Sequence, residues 1–450
     1  MKKISMLIII LLILLMYILN IPSVLGLEYR QMYYFLLICY FLYFLETVIV
    51  VKNIKDIFDP LFLVWLLYYL IFSIRPLNDI INGGIFSSSG KDISSGCYKG
   101  TLLFILGFIF LLLGYILKLK SEFFLIKNLN KKIKKNRKTL IIAISIWCVS
   151  LGMVMIYFLG NGFTLSYIIT MGMNGEINVD EKPLLMIFSI FRSCLISSWL
   201  YIAIISKNKS LKIVTFFIGL MIMLSMGGRT AALIYIFIPI IYFYTSRMKL
   251  PSLKTVIVGV IFIISLCVVM EMTRTGIRTG QGFELKEITF EKIMSPFDHE
   301  LTTYKIFYAL VDSIPEKGSY SYGKGMIIYT LVLMIPRALW HGKPYPPIYD
   351  IIGISIDDTA VKGGAVYPNI GEYYAEFGII GVFFFMFIFG RFLKFIKRLR
   401  MTSVGNTHSL ILYSVLYMSI LPLVTRGFTP GNFYQILAIC FPIFIISKFT

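Results

Sequence analysis

Residues 100–160 decide the fold class of this chain. They begin with GTLLFILGFIFLLLGYILK (100–118), continue to the basic cluster KKIKKNRK (131–138), and resume with TLIIAISIWCVSLGMVMIYFLG (139–160). Each apolar stretch is long enough to cross the hydrocarbon core of a bilayer, which requires about 20 apolar residues. Lysine and arginine accumulate in the cytoplasmic loops of membrane proteins. These residues therefore predict two transmembrane helices joined by a cytoplasmic loop.

The rest of the chain repeats this pattern. Of its 450 residues, 58% are hydrophobic and 15% are charged, whereas soluble domains carry about 25% charged residues. A chain with so little polar surface requires lipid as its solvent, and in lipid a helix satisfies its own backbone. We predict an all-α polytopic membrane protein with about 12 transmembrane helices. The apolar segments lie at residues 4–21, 31–51, 60–75, 100–118, 139–160, 184–206, 213–227, 230–246, 255–272, 372–390, 408–425 and 432–448.

The charges of the connections orient these helices. Basic residues fall in every second connection, where 25 lysines and arginines are accompanied only by Asp56, Asp59 and Glu122. By the positive-inside rule these connections, and with them both termini, are cytoplasmic. We expect the first apolar segment to be retained as a span rather than cleaved as a signal peptide. Basic clusters beside a span bind anionic lipid headgroups, so we predict membrane lipids and no nucleic acid as partners.

The predicted helices form two bundles separated by a long extracytoplasmic segment. Residues 1–272 contain nine predicted spans, residues 273–371 lie outside, and residues 372–450 contain three. Within the outer segment, Ser295 followed by Pro296 indicates a helix start. An apolar stripe at helical spacing follows at Leu301, Tyr304, Tyr308 and Val311. Met326–Ile335 is too short to cross a bilayer and suits an interfacial or re-entrant helix.

Arginines on the extracytoplasmic side are the candidate ligand-binding residues. The planar fork of a guanidinium suits phosphate oxygens, and a charge within a span needs a specific reason. Arg192 lies about nine residues into its predicted span. Arg229 follows two glycines at a helix start, where free N–H groups also favour a phosphate. Arg274 and Arg278 are four residues apart, so on a helix they would share one face. With Arg337, these five residues form the predicted pyrophosphate-binding set.

Structural alternatives exist for these arginines. Arg229 could snorkel to lipid headgroups from a tight hairpin, and Arg274 or Arg278 could pair with Glu271. Arg426, close to Gly427 and Pro430 in the sequence, is interpreted as a residue of an interfacial turn.

His299 and Glu372 are the candidate general bases. His299 lies in the predicted outer helix, and histidine, with an unperturbed pKa of about 6.5, suits proton transfer near neutral pH. Glu372 begins a span at the outer face, with Glu376 four residues later, and is the alternative base. Asp357 and Asp358 resemble a metal-binding pair, but a solvated turn is the favoured interpretation. The six cysteines lack CxxC spacing and are interpreted as buried apolar residues.

Three short stretches carry a resemblance to a known family. They are Gly227-Gly228-Arg229-Thr230, residues 335–344 (IPRALWHGKP) and residues 371–378 (GEYYAEFG). With the predicted topology, they resemble the oligosaccharide repeat unit polymerases of the Wzy type, which make O-antigen and capsule. His341-Gly342 departs from the proline and acid expected between Trp340 and Lys343, which weakens any role for that pair.

The resemblance implies a GT-C-like glycosyltransferase that acts outside the bacterial cytoplasmic membrane. A growing glycan on undecaprenyl pyrophosphate would be moved to the terminal sugar of a new undecaprenyl-linked repeat unit. The arginines would neutralise the leaving pyrophosphate, and His299 or Glu372 would accept the proton of the acceptor hydroxyl. Metal-dependent members of the wider superfamily carry an acidic motif in the first outer loop. This chain has only Glu28 there, so we predict a metal-independent enzyme without a cofactor. A chain-length regulator and a flippase are the expected protein partners.

Two other functions share parts of this pattern. A flippase for lipid-linked oligosaccharides would also have about 12 spans, but its halves should be related in sequence, and these halves are unlike. An O-antigen ligase would share the architecture and the arginine chemistry and differ in its acceptor. The stretches around Arg337 and Glu372 favour a polymerase over a ligase.

Overall fold

The computed structural model describes residues 56–76, 87–88, 91–117, 137–160, 185–224, 229–279, 301–316, 318–335, 339–344, 367–402 and 406–449. The helices in these residues are α1 (Pro60–Tyr69), α2 (Ser94–Ile116), α3 (Arg137–Gly160), α4 (Leu185–Ile205), α5 (Lys209–Leu224), α6 (Arg229–Ser246), α7 (Leu253–Thr279), α8 (Thr303–Ser313), α9 (Tyr329–Leu333), α10 (Asn369–Thr402), α11 (Thr407–Thr425) and α12 (Thr429–Phe449). A π-helical turn, Leu70–Ile74, follows α1, and another, Lys324–Ile328, precedes α9. In this part of the chain the only strands are β1 (Ser87–Ser88) and β2 (Lys91–Asp92), which pair antiparallel.

Six of these helices are long and apolar enough to cross a membrane: α2, α3, α4, α10, α11 and α12. They lie at the positions of six predicted spans. Shorter apolar helices, Pro60–Ile74, Thr230–Ser246 and Leu253–Leu266, lie where three further spans were predicted. The predicted spans 4–21 and 31–51 fall outside the described residues. The structure thus confirms the all-helical class, and the count of 12 spans remains a prediction.

Two helices extend beyond the ends predicted for them. The span predicted to end at residue 390 continues as α10 to Thr402, so the basic stretch expected to be a connection is helical. The span predicted at residues 255–272 is part of α7, which continues to Thr279. At 1.5 Å per residue a helix of 27 residues is about 40 Å long, about 10 Å more than the hydrocarbon core. Helical structure therefore continues into the regions flanking the membrane.

α2 and α10 form the most extensive helix pair in the described part of the chain. A Cβ at Gly114 of α2 would lie 2.1 Å from the Phe387 carbonyl oxygen, and one at Gly390 of α10 would lie 2.0 Å from the Leu111 carbonyl oxygen. Either distance is incompatible with a side chain, so the two backbones touch. Close approach at small residues is the usual way in which membrane helices associate, because lipid offers them no hydrophobic driving force.

Basic residues that were predicted to be cytoplasmic gather at one end of the bundle, which we call the basic end. The Lys397 ammonium lies 2.8 Å from the Asp59 carboxylate, and Arg400 pairs with Asp56. Two further cations of α10 donate to the last carbonyl oxygens of α2. The start of α1, the end of α2 and the end of α10, which the charge rule placed on one side, therefore meet at one end of the structure.

Pro442 interrupts the backbone hydrogen bonds of α12, and side chains of α4 replace them. A proline has no N–H, so the carbonyl of the residue four positions earlier, Ala438, loses its helical partner. The Cys194 thiol of α4 donates to that carbonyl oxygen at 3.2 Å, and the Ser197 hydroxyl donates to the next one, Ile439, at 2.6 Å. Polar side chains of α4 thus satisfy the irregular backbone of α12, as membrane helices require.

Part of the predicted outer segment packs into the bundle. α8 lies against α2, where a Cβ at Gly96 would be 2.1 Å from the Tyr308 carbonyl oxygen. The predicted stripe is confirmed at Tyr304, Tyr308 and Val311, which are buried, whereas Leu301 is half-buried. Thr302 (ψ 0°) lies between Leu301 and α8, which begins at Thr303, so the residues of the stripe are not on one uninterrupted helix. Ser295 itself lies outside the described residues.

Candidate functional site at the glutamate end

The end of the bundle opposite the basic end carries two buried carboxylates, Glu372 and Glu376, and we call it the glutamate end. Both lie near the start of α10, four residues apart, and therefore project from the same side of the helix. Glu372 is 3% exposed and Glu376 is 1% exposed. Burying a carboxylate without hydrogen bonds is strongly unfavourable. The groups that donate to each carboxylate therefore indicate what it does.

Glu372 binds the start of α12. Its two oxygens accept from the Thr429 amide nitrogen at 3.0 and 3.1 Å, and the Thr429 hydroxyl donates to the same carboxylate. The first amides of a helix have no partner within the helix, and the helix dipole favours an anion near them. The residue predicted as the alternative base thus lies at the glutamate end, with both oxygens directed at a neighbouring helix.

α10 is broken just after Glu376. Phe377 and Gly378 leave the helical conformation, and Gly378 has a φ of +63°. The break releases two carbonyl oxygens of α10, which accept from the amides of Ser321 and Tyr322 at 2.9 and 2.8 Å. A Cβ at Gly378 would lie 2.9 Å from the Tyr320 ring. A glycine is therefore required both for the backbone conformation and for the packing of this ring.

Glu376 binds the segment that docks at this break. Its oxygens accept from the amides of Gly323 at 2.8 Å and Met326 at 3.1 Å. These amides lie at the amino end of Lys324–Leu333, a run of one π-helical turn and α9 that we call the short apolar helix. The predicted element Met326–Ile335 is therefore a helix, beginning two residues earlier than expected.

Lys343 binds the other end of the short apolar helix. Its ammonium donates to the carbonyl oxygens of Leu333 at 3.0 Å and Ile335 at 2.9 Å, and its side chain is only 7% exposed. The last carbonyls of a helix lack partners within the helix, and its dipole favours a cation there. The stretches 335–344 and 371–378 thus contribute the residues at the two ends of one helix.

Arg192 lies within α4, and its neighbour among the described residues is an aromatic ring rather than an acid. Its guanidinium is 5.7 Å from the centroid of the Phe188 ring. In residues 185–224 and the other described ranges, no hydrogen-bond acceptor or acid pairs with it. The side chain is half-buried, so the charge is neither fully hydrated nor neutralised by this part of the protein.

The depth of Arg192 follows from the packing of α4 on α12. Cys194 meets Ala438, which is nine residues beyond Thr429. With 1.5 Å per residue, Arg192 then lies about 10 Å along the helix direction from the level of Thr429. Two predicted site residues have described side chains: Arg192 lies beside the Phe188 ring on α4, and Glu372 lies at the start of α12.

The other predicted site residues are placed only in part. Arg229 is the first residue of α6, and Arg274 and Arg278 lie on the single helix α7 as predicted; the side chains of these three are not described. His299 and Arg337 lie outside the described residues, as do Asp357 and Asp358. Arg426 is confirmed as a turn residue between α11 and α12. In the described ranges no three His, Cys, Asp or Glu residues form a metal-binding group; metal independence stays a prediction.

Comparison with known families identifies the chain. A sequence model of the family described as O-antigen polysaccharide polymerase Wzy matches residues 3–449. The chain belongs to this family. It is therefore an integral membrane protein that takes part in the polymerisation of O-antigen repeat units, as the three sequence stretches predicted. Comparisons with curated proteins and with solved structures gave no match.

Glu376 and Lys343 bind backbone groups at the glutamate end of this polymerase, but no role was predicted for either residue from the sequence. The available signal was the sequence Gly323-Lys324-Gly325 before an apolar run. Gly323 has a φ of +86°, and a Cβ at Gly325 would lie 2.1 Å from a Glu376 oxygen. Glycines at such spacing indicate that a group approaches the backbone closely, but they do not identify that group.

Proposed function

We propose that this polymerase transfers a growing glycan from undecaprenyl pyrophosphate to the terminal sugar of a second undecaprenyl-linked repeat unit. The bond between the anomeric carbon and the pyrophosphate oxygen breaks, and the leaving pyrophosphate takes the electron pair. A hydroxyl oxygen of the acceptor sugar forms the new glycosidic bond. Its proton passes to a general base of the protein. Family membership favours this reaction over that of a ligase or a flippase.

The observation that supports a pyrophosphate site most strongly is the environment of Arg192. At the basic end, Lys397 and Arg400 each pair with an aspartate. Arg192, by contrast, has only the Phe188 ring among the described residues. A cation held inside a span without an anion is costly, and a bound anionic ligand removes that cost. We assign Arg192, together with Arg229, Arg274, Arg278 and Arg337, to neutralising the charge that develops on the leaving pyrophosphate.

His299 is our choice for the general base. Glu372 accepts three hydrogen bonds from Thr429, and a carboxylate so engaged must release a helix start before it can take a proton. This geometry supports a holding role for Glu372. Glu372 remains the alternative base if the substrate displaces Thr429.

The proposal includes the architecture and the partners of the enzyme. We propose a GT-C-like arrangement of about 12 spans that works without metal or cofactor. The substrates are undecaprenyl-pyrophosphate-linked glycans. A chain-length regulator and a flippase would act with the polymerase, because its product must be limited in length and its substrate must reach the outer face.

We propose that the glutamate end faces away from the cytoplasm and that both termini are cytoplasmic, in the bacterial cytoplasmic membrane. The support is the positive-inside rule applied to the basic end. In a chain without its six native cysteines, a membrane-impermeant thiol reagent should label Glu316→Cys in intact cells and Ser210→Cys only after lysis. Both positions are exposed, at opposite ends of the bundle. The reverse labelling would invert the proposed topology.

Purified protein in detergent tests the reaction itself. Given only undecaprenyl-pyrophosphate-linked repeat units, it should produce a ladder of lengthened lipid-linked glycans on electrophoresis, and excess EDTA should leave the ladder unchanged. A ligase would produce no ladder, because its acceptor is absent. Loss of the ladder in EDTA and its return with magnesium or manganese would refute metal independence.

A further inference from the structure

The short apolar helix is bound at its two ends by side chains of opposite charge. The Glu376 carboxylate lies at the amino end, and the Lys343 ammonium lies at the carboxyl end. Each charge has the sign that stabilises the helix dipole at its position. Both side chains are almost completely buried, so removing the backbone groups that they bind would leave an unpaired buried charge.

Little apolar packing holds the outward side of this helix. Ile327 and Ile328 are each more than half exposed, and Leu331 is 74% exposed. Burial is confined to Tyr329 and the Gly325–Met326 pair. One further polar contact fixes its middle, where the Tyr434 hydroxyl of α12 donates to the Thr330 carbonyl oxygen at 2.8 Å. Hydrogen bonds, more than buried area, therefore determine where the helix lies.

The same helix connects the parts of the proposed site. Through Glu376 it is attached to α10, one helical turn beyond Glu372. Through Tyr434 it is attached to α12, the helix that Glu372 binds at its start and against which α4, the helix that carries Arg192, packs. Displacement of the short apolar helix would therefore disturb two helices that border the site.

We propose that Glu376 and Lys343 are positioning residues that fix the short apolar helix, and that glycan polymerisation depends on this fixation. The functional half of the proposal rests on the proposed polymerase reaction; the structural half does not. Neither residue contacts the reacting atoms in this proposal. Their effect is to hold α10, α12 and the short apolar helix in one arrangement.

Three substitutions remove one contact each. Glu376→Gln removes the buried anion, and Lys343→Met removes the cation. Gly325→Ala keeps both charges but places a Cβ where the Glu376 oxygen lies. Matched controls in the same region are Glu316→Gln and Lys324→Met, at exposed positions, and Gly342→Ala, whose Cβ would have its nearest neighbour at 3.8 Å.

Hydrogen exchange measures the fixation directly. Amides of residues 323–333 should exchange about 10- to 100-fold faster in the three variants than in wild type, because hydrogen bonds to charged groups are lost. The controls should exchange at the wild-type rate. Lys343→Arg, which retains a cation, should recover most of the protection. Unchanged exchange in both Glu376→Gln and Lys343→Met would overturn the proposal.

Polymerisation kinetics test the functional half on the same proteins. We expect kcat to fall about tenfold or more in the three variants, with KM for the lipid-linked repeat unit changed less, since a misplaced site still meets its substrate. Lys343→Arg should restore kcat. Faster exchange with an unchanged kcat would show that the helix position is irrelevant to the reaction. Failure of the wild-type protein to polymerise would instead refute the proposed function, and the exchange data would still decide whether the contacts fix the helix.

Discussion

Arg192→Ala should reduce polymerisation by at least about 100-fold while the protein still reaches the membrane at normal levels. Removing one preorganised donor from a site where negative charge develops typically costs about 10²- to 10³-fold in kcat. In the structure Arg192 makes no ion pair with a described residue, so its loss should leave no acid of the described ranges unpaired. The measurement is the initial rate of ladder formation with purified protein.

Arg247→Ala is the matched control for this prediction. Arg247 also lies over a phenylalanine ring, Phe243, at 3.9 Å, but at the basic end. Its replacement should leave the rate within about twofold of wild type, as expected for an exposed residue outside the site. Arg192→Lys should recover only part of the rate, because an ammonium offers a point charge without a planar fork. Wild-type rates in Arg192→Ala would remove Arg192 from the site.

His299→Ala and His299→Gln should each lower the polymerisation rate by about 10²- to 10⁴-fold, the usual contribution of a general base. Glutamine keeps a polar side chain but cannot accept the proton at neutral pH, so both variants should accumulate undecaprenyl-linked repeat unit. Both should be present in the membrane at wild-type levels. Pulse-labelled lipid-linked glycan, separated by chain length, gives the rate and the accumulated intermediate together.

Glu372→Gln is the comparison that separates the two candidate bases. We expect it to lower the amount of folded protein, because a neutral amide cannot replace the carboxylate that binds the start of α12. The remaining folded protein should polymerise with a rate per molecule closer to wild type than His299→Gln. Normal polymerisation in His299→Gln, with well-folded but inactive Glu372→Gln, would reverse the assignment of the base.

The apolar segments could be predicted from sequence with good accuracy, because lipid imposes one requirement on every residue of a span. The stretch predicted at 139–160 forms α3, Arg137–Gly160, and the stretch predicted at 408–425 forms α11, Thr407–Thr425. The predicted ends of the spans differed from the structure where a helix continues beyond the apolar segment. α10 continues to Thr402 because its cations bind the aspartates before α1 and the end of α2, contacts that a local pattern does not contain.

The positions of the two glutamates at the glutamate end were predicted from the sequence, but the groups that they bind were not. The sequence placed Glu372 and Glu376 together at a helix start, which the structure confirms. The groups that bind them are 57 residues away for Glu372 and 53 and 50 residues away for Glu376. Rules based on the spacing of residues within one helix do not apply over such separations, because these contacts depend on how the helices pack. The break at Gly378 escaped prediction for the same reason: the groups that satisfy its carbonyls come from the segment before the short apolar helix.

The pairing of Lys397 with Asp59 has a consequence for the assembly of the protein. Asp59 is buried and also accepts from the Tyr115 hydroxyl at 2.8 Å, so this carboxylate needs α1, α2 and α10 with the correct ends on the same side of the membrane. A chain in which α10 had been inserted upside down would leave Asp59 without its lysine and buried in an apolar environment. Charged residues that direct the insertion of the helices therefore also stabilise the correct topology, because Lys397 and Asp59 can pair only when the helices have the correct orientation.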